Sequence, residues 1–165
     1  MRVLALDMAT NCGWAYRAAD GSVVSGVEDF AKGCPKGGDT ICHPHLLLNA
    51  RSLIQRLALA SGADVVMIES GFMRGRAATF LLQRLIGVAM TVAQEANAAV
   101  LSVGPDTWRK AIHGSGGFDT DAAKALATAR TGIADDNEAE AVCILEYTER
   151  LAISSPAPVK RRKAA

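Results

Sequence analysis

Residues 3–15 read VLALDMATNCGWA. The first four of these residues are apolar and the fifth is an acid, Asp7. A short apolar run of this kind predicts a β-strand that ends at Asp7. Small polar turns separate it from two further β-favouring runs, at residues 12–16 and 22–30. The pair Asp20-Gly21 is typical of a hairpin turn between the second run and the third. The three strands are therefore expected to form an antiparallel meander.

After the meander the apolar spacing changes to three or four residues, which is typical of amphipathic helices. The first helix is predicted at about residues 44–60, with Gly62 as its end. The elements expected after it are a buried strand at 64–69, a long helix at about 76–96, a strand at 98–103, a short helix containing Trp108, a helix from Asp119 or Thr120 to about Ala129, and a last helix from about Asp136 to Leu151. This order predicts one mixed α/β domain over residues 1–153.

The composition is that of an ordinary folded chain. Of its 165 residues, 50% are hydrophobic and 21% are charged, which excludes the disordered class. No apolar run approaches the roughly 18 to 20 residues of a membrane-spanning helix, and the N-terminus lacks a signal-peptide pattern. A cytosolic (cytoplasmic) protein is expected. Residues 154–165 include the basic run Lys160-Arg161-Arg162-Lys163 and predict a disordered tail that contacts DNA.

The four cysteines are scattered, and in a cytosolic protein they are expected to be reduced. One group contains the side-chain types that bind zinc, namely Cys34, Cys42, His43 and His45. Its spacing matches no standard zinc finger or ribbon, and residues 32–38 are typical of a loop. A chance grouping is therefore favoured over a zinc site.

Four acids carry the functional hypothesis. Asp7 and Glu69 each end an apolar run that is expected at the centre of the sheet. Asp136 and Glu140 lie four apart on the last predicted helix and share a face. In one cleft these carboxylates would repel one another unless cations neutralised them. Hard oxygen ligands at this density suit Mg²⁺ or Mn²⁺, and two such ions roughly 3.5 to 4 Å apart support phosphodiester hydrolysis.

The acids also have purely structural interpretations. Asp7 could be a turn or cap residue, and Asp136 could cap the helix that it opens. Glu138 lies two positions from either neighbouring acid and is interpreted as a solvated helix residue. The formal net charge of +1 says little about nucleic-acid binding, but residues 69–113 are mildly basic while acids gather at 135–140. The hypothesis depends on all four acids meeting in one fold.

Three segments carry a family resemblance. Residues 3–15 combine an aspartate, a small polar turn and a Gly-aromatic strand. Residues 68–73, IESGFM, place a phenylalanine after a strand-ending glutamate, and residues 135–142, DDNEAEAV, open the last helix with acids. Together they resemble the motifs of the RuvC class of Holliday-junction resolvases, in the form common among phage-type members. Their order and spacing agree across about residues 2–150.

The resemblance implies an RNase H-like fold, with a mixed five-stranded sheet flanked by helices, in which two parallel strands follow the antiparallel meander. It implies a homodimeric crossover junction endodeoxyribonuclease that cuts four-way (Holliday) DNA junctions on two strands symmetrically. The implied Mg²⁺ or Mn²⁺ ligands and catalytic residues are Asp7, Glu69, Asp136 and Glu140. The implied DNA contacts are Phe72, Arg74, Arg76, Arg109, Lys110 and Lys124. Phe72 would stack on an unpaired base, although core packing is an equal interpretation, and Arg74 and Arg76 could instead be solvated surface residues.

The chain departs from the family pattern in the closing motif. Glu140 stands where an aspartate is usual, so its carboxylate reaches one methylene further. The closing acids are four apart where many members have them three apart, which leaves Asn137 as an alternative to Asp136. A basic residue expected before the penultimate helix aligns with Thr120, with Lys124 one turn later. Activity is therefore a less direct implication than the fold.

Three other functions fit parts of the pattern. One is a different nuclease of the same fold that acts on RNA–DNA hybrids or structured RNA. Another is a junction-binding protein whose acids no longer hold metal and which never cuts. A third is half of an actin-like or sugar-kinase ATPase, but that architecture needs a second similar domain, for which this chain is too short.

Overall fold

A five-stranded mixed sheet forms the centre of the fold. It consists of β1 (Val3–Asp7), β2 (Asn11–Arg17), β3 (Val23–Asp29), β4 (Val65–Glu69) and β5 (Ala99–Val103), in the order β3-β2-β1-β4-β5. The pairs β1–β2 and β2–β3 are antiparallel, whereas β1–β4 and β4–β5 are parallel. The predicted meander followed by two parallel strands is thus confirmed. This computed structural model describes residues 1–36, 39–71, 75–114 and 120–154.

Helices cover both faces of the sheet. In the described ranges they are α1 (Asp39–Ser61), α2 (Arg76–Glu95), α3 (Pro105–His113), α4 (Thr120–Thr131) and α5 (Asp136–Ser154). α1 begins ahead of its predicted start near residue 44. α4 continues two residues past the predicted end at Ala129, to Thr131, and the left-handed Gly132 (φ 74°) follows it. α5 ends at Ser154, and the predicted tail beyond it lies outside the described residues.

The alternation of side chains along β1 separates two hydrophobic cores. Leu4 and Leu6 pack with α1 and α2 on one face of the sheet. Val3 and Ala5 pack with α3, α4 and α5 on the other. Because side chains two apart point to the same face, Asp7 projects toward the α5 side, in line with Val3 and Ala5. The same alternation in β4 places Glu69 on that face, in line with Met67.

α5 lies close against β2, and the approach depends on Gly13. A Cβ atom added at Gly13 would lie 2.0 Å from the carbonyl oxygen of Asn137, in the first turn of α5. Only a residue without a side chain allows this approach. The close contact fixes the first turn of α5, with the acids that follow, over the sheet.

α2 has one buried face and one exposed face. Its buried residues are Leu82, Leu85, Ile86, Ala89, Val92 and Ala93. Phe80 and Met90 are about half exposed on its other side. By length and composition α2 could cross a membrane, with a mean hydropathy of 1.3 over 18 residues, of which 33% are buried. The sequence was not predicted to contain such a window, and core helices of soluble proteins have the same length and composition.

Candidate active site at the carboxyl ends of β1 and β4

Asp7 and Glu69 are neighbours at the ends of two parallel strands. The register pairs Leu6 with Ile68, so the next residue of each strand is an acid on the same face. Asp7 is buried, with 6% of its surface exposed. Its pKa is raised well above the ordinary value, first by burial and then by the charge and hydrogen bond of Glu69 and the charge of Glu140. The two strand-ending acids are therefore in one site, as predicted.

α5 brings Glu140 into the same site. Glu140 is buried, with 4% of its surface exposed, and burial raises the pKa of its carboxyl group while Arg109 opposes that rise. Arg109 Nη2 donates to Glu140 Oε1 at 2.7 Å, and this ion pair is almost wholly excluded from water. Arg109 Nε is buried without a hydrogen-bond partner among the described residues. The Arg109 guanidinium on α3 thus serves as the counter-ion of Glu140.

Asp136 lies one turn before Glu140 and is more exposed. It forms an ion pair with Lys124 of α4, which lowers the pKa of Asp136 and raises the pKa of Lys124. The charges of Glu140 and Asp7 also raise the pKa of Lys124, so the ammonium group lies within reach of all three acids. Lys124 therefore connects Asp136 to the buried part of the cluster.

The helix cap predicted as an alternative role for Asp136 belongs to its neighbour. Asp135 Oδ1 accepts a hydrogen bond from the backbone N–H of Glu138 at 3.1 Å, as an N-cap residue does. Asp136 Oδ1 accepts from the N–H of Asn137 at 3.0 Å and keeps its other oxygen toward Lys124. Glu138 is not solvated as predicted, because α5 packs over β3 and Ser25 Oγ donates to Glu138 Oε1 at 2.7 Å.

The donor set fits hard divalent cations by its chemistry. Four carboxylates lie near two basic groups, and the charges of Glu69 and Glu140 oppose the ionisation of Asp7. In the described part of the chain, no three His, Cys, Asp or Glu side chains are already arranged to hold one ion. Glu140 Oε1 and Asp136 Oδ2 instead face Arg109 and Lys124. A cation bound through these two oxygens would displace the two ion pairs.

Comparison with known proteins identifies the architecture. No family model and no curated protein matches the sequence. Thermus thermophilus RuvC superposes with a TM-score of 0.66 at 16% identity, covering 92% of this chain and 97% of that one. The chain has the RuvC fold. T. thermophilus RuvC in complex with a Holliday junction substrate gives a TM-score of 0.67 at 16% identity, covering 92% and 96%. The yeast mitochondrial Holliday junction resolvase Ydc2 gives 0.52 at 18%, covering 90% and 79%.

Within the RuvC fold the predicted DNA contacts fall in different places. Phe72 and Arg74 lie outside the described residues. Arg76 opens α2 and is exposed, with its guanidinium carbon 5.3 Å from the centre of the Phe80 ring. Lys110 is exposed on α3, beside the largely buried Arg109. Their roles toward DNA remain predictions.

The group considered for zinc lies apart from these acids. Cys34 Sγ donates to the carbonyl oxygen of Cys42 at 3.7 Å, and both thiols are free. His43 Nδ1 lies 3.2 Å from Arg84 Nη1 on α2. Cys34 lies between β3 and α1, whereas Cys42, His43 and His45 lie in α1. The two cysteines pack against the core on the α1 and α2 side of the sheet.

Sequence reasoning missed one residue of the cluster. Trp108 of α3 is fully buried, and its Nε1–H donates to Glu69 Oε1 at 2.8 Å. The sequence contained only a weak sign of it, an indole in a short helix that follows a buried strand. Its partner is 39 positions away on another element, so the pairing depends on the fold.

Proposed function

We propose that the protein is a metal-dependent endonuclease that cuts four-way DNA junctions by paired phosphodiester hydrolysis. One observation carries the proposal: within a RuvC fold, Asp7, Glu69 and Glu140 gather at the carboxyl ends of β1 and β4, and Asp7 and Glu140 are buried there. Burying several acids together is costly unless cations neutralise their negative charges. A RuvC of the same fold has been solved with a Holliday junction substrate.

Asp7, Glu69, Asp136 and Glu140 are the residues that would hold Mg²⁺ or Mn²⁺, with two ions proposed for each site. Bound there, such ions supply Lewis-acid stabilisation of the negative charge that develops on the phosphate during hydrolysis. The protein's other side chains hold these acids in place and keep them out of bulk water. Glu140 reaches the cluster in spite of its extra methylene, since its carboxylate lies within range of the charges of Asp7 and Glu69.

Arg109 and Lys124 change partners in this proposal. Without cations they neutralise Glu140 and Asp136. If bound cations neutralised the acids instead, the two basic side chains would be available to the negatively charged phosphate of the strand to be cut. Arg76 and Lys110, which are exposed, would contact phosphates further along the DNA. Phe72 would contact the unpaired base and Arg74 the DNA backbone, as the resemblance implies.

Paired cutting requires two sites, and the exposed face of α2 is the proposed homodimer contact. Phe80 and Met90 leave apolar surface on this face, and Gly87 between them has open space around it. A two-fold dimer matches the approximate two-fold symmetry of a four-way junction. Each protomer would then cut one of two equivalent strands.

The decisive experiment compares three labelled substrates of equal length: a four-way junction, a linear duplex and an RNA–DNA hybrid. Each is incubated with Mg²⁺, with Mn²⁺ or with EDTA, and Asp7→Asn serves as the matched control. The proposal expects nicks in the junction only, in the presence of metal only, and at least a hundredfold slower cutting by Asp7→Asn. Cleavage of the hybrid alone would instead support a ribonuclease of the same fold.

A second candidate function has its own observation. The buried Arg109–Glu140 ion pair occupies the place of a cation, as it would in a junction-binding protein that has lost its metal. Such a protein would bind the junction equally well in Mg²⁺ and in EDTA and would leave it intact under every metal. The same three-substrate experiment separates the two functions.

A further inference from the structure

The indole of Trp108 is held in one orientation from several sides. Trp108 is fully buried, the guanidinium carbon of Arg109 lies 5.3 Å from its ring centre, and the ring of His113 packs edge-on at 5.8 Å. The helix that carries it begins at Pro105 and ends at the left-handed Gly114. A side chain so enclosed has little freedom to turn, so its Nε1–H points in a fixed direction.

The direction of that N–H is toward an acid of the cluster. A buried indole N–H usually finds a hydrogen-bond partner, and here the partner is Glu69 Oε1 at 2.8 Å. The second tryptophan of the chain, Trp14, is a contrast: its buried Nε1 has no hydrogen-bond partner among the described residues. The contact of Trp108 with a carboxylate is therefore not a general property of buried indoles in this fold.

α3 supports two acids from two different elements. Trp108 binds Glu69 at the end of β4, and the next residue, Arg109, binds Glu140 on α5. The carboxyl torsion of a glutamate has a broad energy minimum, so a fixed donor is needed to hold its plane. A hydrogen bond from a rigid group provides that constraint, as partners behind metal ligands commonly do.

We propose that Trp108 is a positioning residue that fixes the carboxylate of Glu69 for cation binding. The inference rests on the proposed function, because it assumes that Glu69 holds a metal ion. In this positioning role, Trp108 contacts neither DNA nor metal and acts only through Glu69. The hydrogen bond to Oε1 would persist on cation binding, whereas the ion pair of Arg109 with Glu140 would open.

The first measurement uses the wild-type protein and needs no variant of Trp108. The chain contains two tryptophans, so a ¹H–¹⁵N spectrum shows two indole signals, and Trp14→Phe assigns them. The signal of Trp108 is expected to move during a titration with Mg²⁺ and in the variant Glu69→Gln, while the signal of Trp14 stays in place. An indole signal of Trp108 that ignores both changes would overturn the inference.

The second measurement is the affinity for Mn²⁺ by isothermal titration calorimetry. Trp108→Phe removes the N–H donor, and Trp14→Phe is the matched control, since it removes the same group at a site without a partner. Trp108→Phe is expected to bind Mn²⁺ about tenfold more weakly than wild type, and Trp14→Phe to bind it unchanged. Equal affinities of the two variants would contradict the proposal. If Trp108→Phe does not fold, the spectrum of the wild type decides.

The two proposals fail in distinguishable ways. If the wild type cuts junctions with metal but Trp108 shows neither effect, the positioning role alone is wrong. If Trp108 shows both effects but no junction is cut, the metal site stands and the nuclease function is wrong. If the wild type binds neither Mg²⁺ nor Mn²⁺, both proposals fall together.

Discussion

Asp7 and Glu140 belong to one cluster but differ in what surrounds them. Asp7 faces other carboxyl groups, and burial together with their charges raises its pKa. Glu140 faces Arg109, whose guanidinium compensates its charge at 2.7 Å. Removing the charge of Asp7 relieves repulsion, whereas removing the charge of Glu140 leaves a buried cation unpaired. The two acids should therefore have opposite effects on the stability of the metal-free protein.

The first prediction concerns Asp7→Asn. In EDTA at neutral pH the variant should be more stable than wild type by roughly 1 kcal/mol, which corresponds to about 2 to 4 °C in Tm for a chain of this size. Calorimetry in EDTA measures the shift. Saturating Mg²⁺ should stabilise the wild type and leave the variant almost unchanged.

The pH dependence of this difference has a defined sign. The folded-state pKa of Asp7 is raised, so the wild type loses stability as pH rises from about 3.9, the unfolded value, through the folded value. The advantage of Asp7→Asn should be absent at acid pH and grow as pH rises. A variant that is less stable than wild type in EDTA at neutral pH would contradict the assignment of repulsion at this site.

The second prediction concerns Glu140→Gln, which keeps the shape of the side chain and removes its charge. Arg109 then stays buried without its ion-pair partner, and we expect this loss to outweigh the desolvation that raises the pKa of Glu140. The free energy of unfolding should therefore fall by about 3 kcal/mol. Denaturant unfolding in EDTA checks this value. An unchanged midpoint would mean that Arg109 reaches water when Glu140 is neutral, and that the ion pair is not a buried one.

At the scale of elements, the local sequence patterns were sufficient to predict the strands of the sheet. β1 and β4 could be predicted because each is a short apolar run, and Asp7 and Glu69 could be placed together because both end such runs. The side-chain contacts between the helices and the sheet could not be predicted. The bond from Trp108 to Glu69 and the contact between Ser25 and Glu138 depend on how helices lie over the sheet, which no spacing along the chain records.

The third prediction concerns the contact between β2 and α5. Gly13→Ala places a Cβ atom 2.0 Å from the carbonyl oxygen of Asn137, so α5 must move away from the sheet. The variant should lose roughly 2 kcal/mol of stability and more than tenfold in junction cutting, because Asp136 and Glu140 move with the helix. Denaturant unfolding and single-turnover cleavage measure the two effects.

Gly87→Ala provides the control for this variant. A Cβ atom at Gly87 meets no atom within 4 Å, and alanine favours the helix, so stability should rise by about 0.5 to 1 kcal/mol. If Gly13→Ala were as stable and as active as Gly87→Ala, the close approach of α5 to β2 would not position the acids.

At the scale of the whole molecule, the exposed face of α2 is the proposed contact between two copies of the chain. Phe80 is 51% exposed and Met90 is 49% exposed, on a helix whose opposite face is packed into the core. Apolar surface of this kind on a regular helix is typical of an interface. The proposed dimer places one copy of the acid cluster in each half.

The fourth prediction concerns Gly87→Arg. A Cβ atom at Gly87 meets no atom within 4 Å, so we expect the single chain to tolerate arginine there, whereas a second helix packed on this face would collide with it. Wild type and Gly87→Ala should be dimers at micromolar concentration by light scattering, and Gly87→Arg should be a monomer with a similar Tm. A wild type that is monomeric at this concentration would contradict the dimer.

The most direct test of paired cutting uses a supercoiled plasmid that extrudes a cruciform. The first nick releases the supercoiling and removes the junction, so a linear product forms only when both strands are cut within one encounter. With Mg²⁺ the wild type should give mainly linear plasmid, and Asp7→Asn should leave the plasmid supercoiled. Plasmid that stays supercoiled with wild type under every metal, while remaining bound, would contradict the account and identify a junction-binding protein.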